Sequence, residues 1–227
     1  MVFELKNTVP WGRNLEEYRS MFNLTDFDLN HKIISFGDGP ASFNSELSYT
    51  NKNIVSIDPI YEFSQNEIKL RIEEIKDIVL EQTKNNFENF VWARIKSIKE
   101  LEEIRMLAME TFLQDFEIGK SEKRYLNHSL PNQTDFDDLT FDLGLSSHFL
   151  ILYSQLGLDF HIASINEMLR VAKEIRIFPL LNLNSKRSEV LDDLVNYYEK
   201  EFIVSIKKVN YEFQRNGNEM LTIKRKQ

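Results

Sequence analysis

The residues best suited to do chemistry lie in one stretch, KIISFGDGPASFNSELSYTNKNIVSIDPIY, residues 32–61. A β-branched and aromatic run, Ile33, Ile34 and Phe36, is closed by Gly37-Asp38-Gly39, and Pro40 follows. A second run, Ile54, Val55 and Ile57, is closed by Asp58-Pro59 about 20 residues later. Glycine permits positive φ and lets the backbone come close to a bound group. A helix starting just after Pro40, a residue suited to a first turn where no N–H is needed, aims unpaired N–H groups and the positive end of its dipole at a ligand. An acid ending the second strand is placed to accept hydrogen bonds from both hydroxyls of a ribose. Together these features predict a nucleoside-bearing cofactor at the carboxyl ends of the strands, where the strand order reverses.

Two classes of cofactor use such a geometry. A dinucleotide fingerprint has the form G-x-G-x-x-G/A, and its third position here is Ser42; S-adenosylmethionine is the other class. The residue pattern leaves both open. Elsewhere the candidates for chemistry are few. The chain has no cysteine, which excludes disulfides, thiolate catalysis and Cys-ligated zinc. His31, His128 and His161 have no metal-ligand spacing with one another or with an acidic partner, so no metal site is expected.

The elements that must position these residues can be read from periodicity. The two apolar runs read as buried parallel-type strands, and residues 40–49 between them leave room for about three helical turns. From residue 62 to 116 there is no glycine or proline. Ile68, Ile72, Ile75 and Val79 repeat at helical spacing, as do Leu101, Ile104, Ala108 and Phe112, and a third helical segment around residues 87–95 holds Trp92. Three helices exceed an ordinary crossover. Residues 62–120 therefore read as a helical insertion, either a cap over a substrate or a purely structural layer. Its Phe87, Phe90 and Trp92 would either face that substrate or fill the core. Alternation then resumes. Residues 125–127 form a weak strand and 141–145 a strong one. A helix ends near residue 173, 174–181 form a strand and 187–201 a helix. Residues 202–213 and 220–224 are strands joined at Asn216-Gly217, a strong hairpin signal. No internal repeat or linker interrupts this order, so residues 1–227 read as one domain.

Composition sets the outer limits. At 227 residues with 42% apolar and 28% charged content, the chain is expected to be globular. Its 7 glycines and 5 prolines are roughly half of average usage, so Gly37 and Gly39 within three residues stand out. With 36 acidic against 28 basic residues the net charge is −8, which disfavours nucleic acid as a partner. The start, MVFELKNTVPWGR, has no basic-then-apolar signal pattern. The most apolar stretch, residues 143–163, is interrupted by Ser146, Ser147, His148, Gln155 and Asp159, so it reads as a strand and a helix rather than a membrane span. A cytoplasmic, soluble protein with no membrane partner is expected.

The segment Ser35-Phe36-Gly37-Asp38-Gly39-Pro40-Ala41, with Asp58 at the end of the next strand, resembles motif I of class I S-adenosylmethionine-dependent methyltransferases. Ser35 replaces the usual leading acid of that motif and Ala41 its third glycine, while Asp38 supplies a carboxylate within the loop. The resemblance implies an α/β fold: a seven-stranded Rossmann-like methyltransferase sheet with helices on both faces, ending in an antiparallel β-hairpin. It implies S-adenosylmethionine as cofactor, held by Tyr18, Gly37, Asp38, Gly39, Pro40, Asp58, Pro59, Ser129, Leu130 and Ser146. Ser129-Leu130 would meet the adenine, and Ser146-Ser147-His148 would face cofactor and substrate. A helix over residues 14–22, N-capped by Asn14, would bring Tyr18 or Arg13 to the cofactor's carboxylate, or else Trp11, Tyr18 and Phe22 only pack it on the sheet. His148 becomes the candidate general base, against the simpler reading of a structural histidine. The Asn/Asp-Pro-Pro-Tyr motif is absent, which disfavours an N6-adenine or glutamine acceptor. "FDLGLSSHFLILYS" and "RVAKEIRIFPLL" are similar to bacterial methyltransferase-like proteins of undefined substrate. The expected activity is methyl transfer to an unidentified small molecule. The alternatives are an NAD-dependent oxidoreductase and a non-catalytic methyltransferase-like binding protein. The methyl acceptor and the oligomeric state stay open.

Overall fold

The computed structural model describes residues 9–226. The absence of a signal pattern concerns a segment whose residues 1–8 lie outside that range.

The chain enters through two short capped helices. Helix α1 (Leu15–Met21) starts at Asn14, whose side chain accepts from the Glu17 N–H while the Glu17 carboxylate accepts from the Asn14 N–H. Helix α2 (Asp26–Leu29) is capped in the same reciprocal way by Thr25 and Asp28. Strand β1 (Ile33–Phe36) follows, fully buried. Helix α3 (Phe43–Ser48) is shorter than the expected three turns. The Ser42 N–H donates to the Arg13 carbonyl (3.1 Å), which keeps the chain before it out of the helix, and the Asn51 side chain ties the far end to the Leu29 and His31 carbonyls. Strand β2 (Ile54–Ile57) is closed by Asp58, which caps a 3-10 turn over Pro59–Glu62.

The connection from β2 to the next strand holds two long helices, α4 (Gln65–Asn85) and α5 (Ile98–Ser121). Both predicted periodic faces are buried, with Ile68, Ile72, Ile75 and Val79 on one helix and Leu101, Ala108 and Phe112 on the other. The expected third helix around residues 87–95 is absent. Only Phe87–Asn89 form a 3-10 turn, because the backbone there pairs with a remote loop. The Val91 N–H donates to the Phe213 carbonyl (2.8 Å), and Arg215 donates to the Glu88 and Phe90 carbonyls.

Strand β3 (Tyr125–Leu126) leads by a loop, with no helix between, to β4 (Phe141–Ser147), and helix α6 (Leu158–Val171) joins β4 to β5 (Ala172–Phe178). Helix α7 (Leu191–Tyr198) leads to β6 (Phe202–Lys208) and β7 (Glu219–Arg225). The sheet order is β3-β2-β1-β4-β5-β7-β6. β1 to β5 run parallel, whereas β7 is antiparallel to both β5 and β6. This is the expected seven-stranded Rossmann-like methyltransferase sheet with its terminal antiparallel pair. The pair is not joined by a two-residue turn at Asn216-Gly217, however. Lys208 pairs with Glu219, and residues 209–218 form a longer loop because Tyr211 and Phe213 are drawn into the body of the protein. Asn216, at φ +64°, sits in a local turn closed by the Gly217 N–H on the Gln214 carbonyl.

Alternation along β1 divides the core. Ile34 and Phe36 join β5, β7, α6 and α7 on one face, while Ile33 joins α1, α2 and α3 on the other. Among the described residues no helix is long and apolar enough to cross a membrane.

Candidate functional site

A cavity of about 410 Å³ opens at the carboxyl edge of the parallel strands, where connections leave β1 toward opposite sides of the sheet. Its floor is the glycine loop. Gly37 and Gly39 take φ of +65° and +57°, the left-handed region that favours glycine. A Cβ on Gly37 would lie 2.6 Å from the Phe149 ring, whereas one on Gly39 would meet nothing within 4 Å. Gly39 is therefore glycine for its backbone angle, and its main chain is bare toward the cavity.

Two residues grip that glycine. The Gly39 N–H donates to Asp58 Oδ2 (2.9 Å), and the Tyr61 hydroxyl donates to the Gly39 carbonyl (2.8 Å). Asp58 Oδ1 accepts from the Ile60 N–H (2.9 Å). The end of β2 and the loop after β1 are thus one hydrogen-bonded unit. Burial pushes the Asp58 carboxyl up to about 6; the two N–H donors oppose that rise and nearby Asp38 adds to it.

Asp38 lies on the cavity wall but its carboxylate is occupied. Hydroxyls of Tyr18 from α1, Ser35 from β1 and Ser56 from β2 all donate to it. Burial raises its pKa and the three donors restrain the rise. The acid missing at position 35 is in this way replaced in space: Asp38 folds back to the Ser35 side chain. Tyr18, stacked on Phe43 with ring centroids 4.2 Å apart, has committed its hydroxyl proton to Asp38.

On the far side of the cavity stands His148. It follows β4 directly at φ +52°, a conformation costly for a residue with a Cβ. The His148 N–H to the Phe178 carbonyl (2.7 Å) and the ring contact with Phe178 hold it there. Its Nδ1 meets the Ser147 hydroxyl at 2.9 Å, and Nε2 has no protein partner among the described residues. Burial, and then the guanidiniums of Arg13 and Arg105, hold its pKa well below the ordinary imidazole value. It is neutral at physiological pH.

The predicted residues Tyr18, Gly37, Asp38, Gly39, Pro40, Asp58, Pro59, Ser129, Leu130 and His148 all line this one cavity. Ser146 does not; it is fully buried in β4, with its hydroxyl unpartnered among the described residues. Of the aromatic trio, Phe90 reaches the cavity and Phe87 stacks on Trp92 outside it. The roof comes from α4, α5 and the 3-10 segment Ile151–Leu156, which contribute Val79, Leu101, Leu152 and Leu156. His161 holds the last of these in place, its ring nitrogens 2.6 Å from the Gly157 carbonyl and 2.8 Å from that of Leu150.

Three polar residues that the sequence reading did not single out complete the site. Arg105 on α5 is 1% exposed and pairs with Glu17 (2.6 Å), and the Tyr211 hydroxyl donates to the other Glu17 oxygen (2.9 Å). Burial alone would raise the Glu17 pKa, but Arg105 more than reverses this. Arg105 had a legible signal, a charge inside the apolar stripe of Leu101, Ala108 and Phe112. Glu17 reads only as half of a capping box, and Tyr211 only as one strand residue among several.

The chain is 38% identical over 223 residues to the uncharacterized protein MJ0045 of Methanocaldococcus jannaschii, covering 97% of this chain and 98% of that one. No family model matches the chain. Among solved structures, the mitomycin 7-O-methyltransferase MmcR superposes with a TM-score of 0.50 at 10% identity, over 93% of this chain and 54% of that one. The methyltransferase domain of the bacterial CtHen1 gives 0.48 at 14% identity, over 87% and 92%. The likeness to MmcR is one of fold. The near full-length identity to MJ0045 carries more: this chain belongs to the same family as that archaeal protein, and the shape it takes is the Rossmann-like methyltransferase fold.

Proposed function

We propose that the chain is an S-adenosylmethionine-dependent methyltransferase acting on a small molecule. The observation that carries this reading is the bond from the Gly39 N–H to Asp58. It locks a bare glycine main chain and a buried carboxylate side by side at the mouth of a cavity large enough for a small ligand. A nucleoside fits such a pair. Each Asp58 oxygen has a lone pair left for a ribose hydroxyl, and Ser129 and Leu130 stand where an adenine would lie. The strand order, with β7 antiparallel beside β5, favours this cofactor over a dinucleotide.

Bound there, the cofactor supplies a methyl group on a good leaving group, so the protein has to align, desolvate and, for a protic acceptor, remove a proton. Asp58 and Gly39 fix the nucleoside end. Leu101, Leu152, Leu156 and Val79 keep water from the space beyond. Neutral His148 offers Nε2 as the proton acceptor at a spot its strained backbone sets. Residues 62–120 act as the cap of the acceptor chamber within a single domain.

Isothermal titration with S-adenosylhomocysteine tests the reading, with saturable one-to-one binding expected. Absence of heat at high micromolar ligand with well-folded protein, or tighter binding of NADH, would overturn it.

A further inference from the structure

Arg13, Arg105, Glu17 and Tyr211 meet at the wall of the cavity beneath α5, and their charges do not cancel. Arg105 Nη1 donates to Glu17 and Nη2 to the Tyr211 hydroxyl (3.3 Å), while its buried Nε has no partner among the described residues. Among the described residues Arg13 Nη1 donates only to the Trp11 carbonyl (2.9 Å), and its Nε is likewise buried and unpartnered. Glu17 is heavily engaged: Oε2 accepts from Arg105 and the Asn14 N–H, and Oε1 accepts from Tyr211. Two guanidiniums thus share one carboxylate that already holds three donors, and both belong to the lining of the cavity. A buried charge without an opposite partner is costly. Burial and the Arg105 charge accordingly pull the Arg13 pKa down. Leu101, Val79, Phe90 and Phe213 give the same lining an apolar part.

Resting on the methyltransferase reading, we propose that this wall is the anion site of the methyl acceptor: Arg105, with Arg13 beside it, receives the carboxylate of a small molecule whose body is apolar. The cofactor does not discharge the wall. Its amino acid end is zwitterionic and its sulfonium is positive, so it adds no net negative charge. An acceptor carboxylate does, and Arg105, which stands on the long β2–β3 connection rather than on the cofactor loop, lines the cavity and has a partnerless Nε to offer it among the described residues.

The test uses the full chain and isothermal titration with four probes: S-adenosylhomocysteine, 5′-methylthioadenosine (which lacks the amino acid end), phenylacetate and its neutral isostere phenylacetamide. With S-adenosylhomocysteine saturating, phenylacetate is expected to bind about tenfold or more tighter than phenylacetamide. Arg105→Lys, which keeps the charge against Glu17 but loses the fork, is expected to erase that preference and leave the ratio of S-adenosylhomocysteine to methylthioadenosine affinity unchanged. Glu17→Gln removes the competing carboxylate and is expected to tighten phenylacetate. Equal binding of acid and amide to the wild type overturns the proposal. So does an Arg105→Lys protein that loses S-adenosylhomocysteine relative to methylthioadenosine while phenylacetate is unaffected, since the wall would then serve the cofactor's own carboxylate. Failure of S-adenosylhomocysteine to bind overturns the cofactor reading instead, and the acid-to-amide preference measured without it still decides the anion site.

Discussion

In the proposed methyltransferase, Asp58 would couple cofactor affinity to pH. Its carboxyl is raised to about 6 in the folded chain, so below that value it holds a proton and loses lone pairs for donors. The charged, donor-accepting form exists above about pH 6 and is lost on acidification. The contribution of the same group to folding stability runs the other way, fully present below its ordinary carboxylate value and lost as pH rises through 6. S-adenosylhomocysteine affinity is therefore expected to fall as pH drops through 6, and calorimetry at pH 8 and pH 5 showing one affinity would exclude Asp58 from the site. Replacing Asp58 with Ala removes two charge-assisted hydrogen bonds of roughly 1.5–3 kcal/mol each, so binding should weaken by about 100-fold or more. For His148, held neutral well below the ordinary imidazole range, the acid limb of a kcat/KM profile should lie below pH 6.5 and vanish in His148→Asn. At this scale the meeting of Gly37, Gly39 and Asp58 at one cavity was legible from their types and spacing. The Asp38 hydroxyl cluster was not, since its donors Tyr18 and Ser56 lie 20 and 18 residues away.

Two helices build the roof and two arginines fasten it. Arg105 ties α5 to α1 through Glu17, and Arg124 grips Asp115 with two 2.7 Å bonds while a third reaches Asn44 on α3. Arg105→Ala leaves Glu17 buried and unpaired, a loss of about 3–5 kcal/mol. The expected result is a clear drop in Tm, and an unchanged Tm would mean that water or the Arg13 side chain takes over the pairing. Helices α4 and α5 were readable from their own residues, as their buried faces repeat every three or four positions. The segment at residues 87–95 was not, because its backbone partners, Phe213 and Gln214, come from more than 120 positions downstream. The same pairing stretches the predicted hairpin turn into a loop. A local signal, Asn216-Gly217, marked a turn correctly and its place in the ladder wrongly.

At the scale of the whole molecule, the sheet determines where rigidity lies. β1, β4 and β5 are central and covered on both faces, while β6 is an edge with Ile203 half exposed. Native-state hydrogen exchange should find the slowest amides in β1, β4 and β5 and faster exchange in β6. Uniform protection would contradict this layering. The layering was legible from strand–helix alternation, but the chamber above it was not, because its charged wall joins segments with no local relation. Glu17 meets Arg105 across 88 positions and Tyr211 across 194. Contacts of such sequence separation are expected to form late in folding. Glu17→Gln is expected to accelerate unfolding in a stopped-flow chevron and leave the folding rate nearly untouched. An anion that fits the wall can then recognise only the finished chain, so it would slow unfolding without speeding folding and lengthen the lifetime of the native protein wherever the acceptor is abundant.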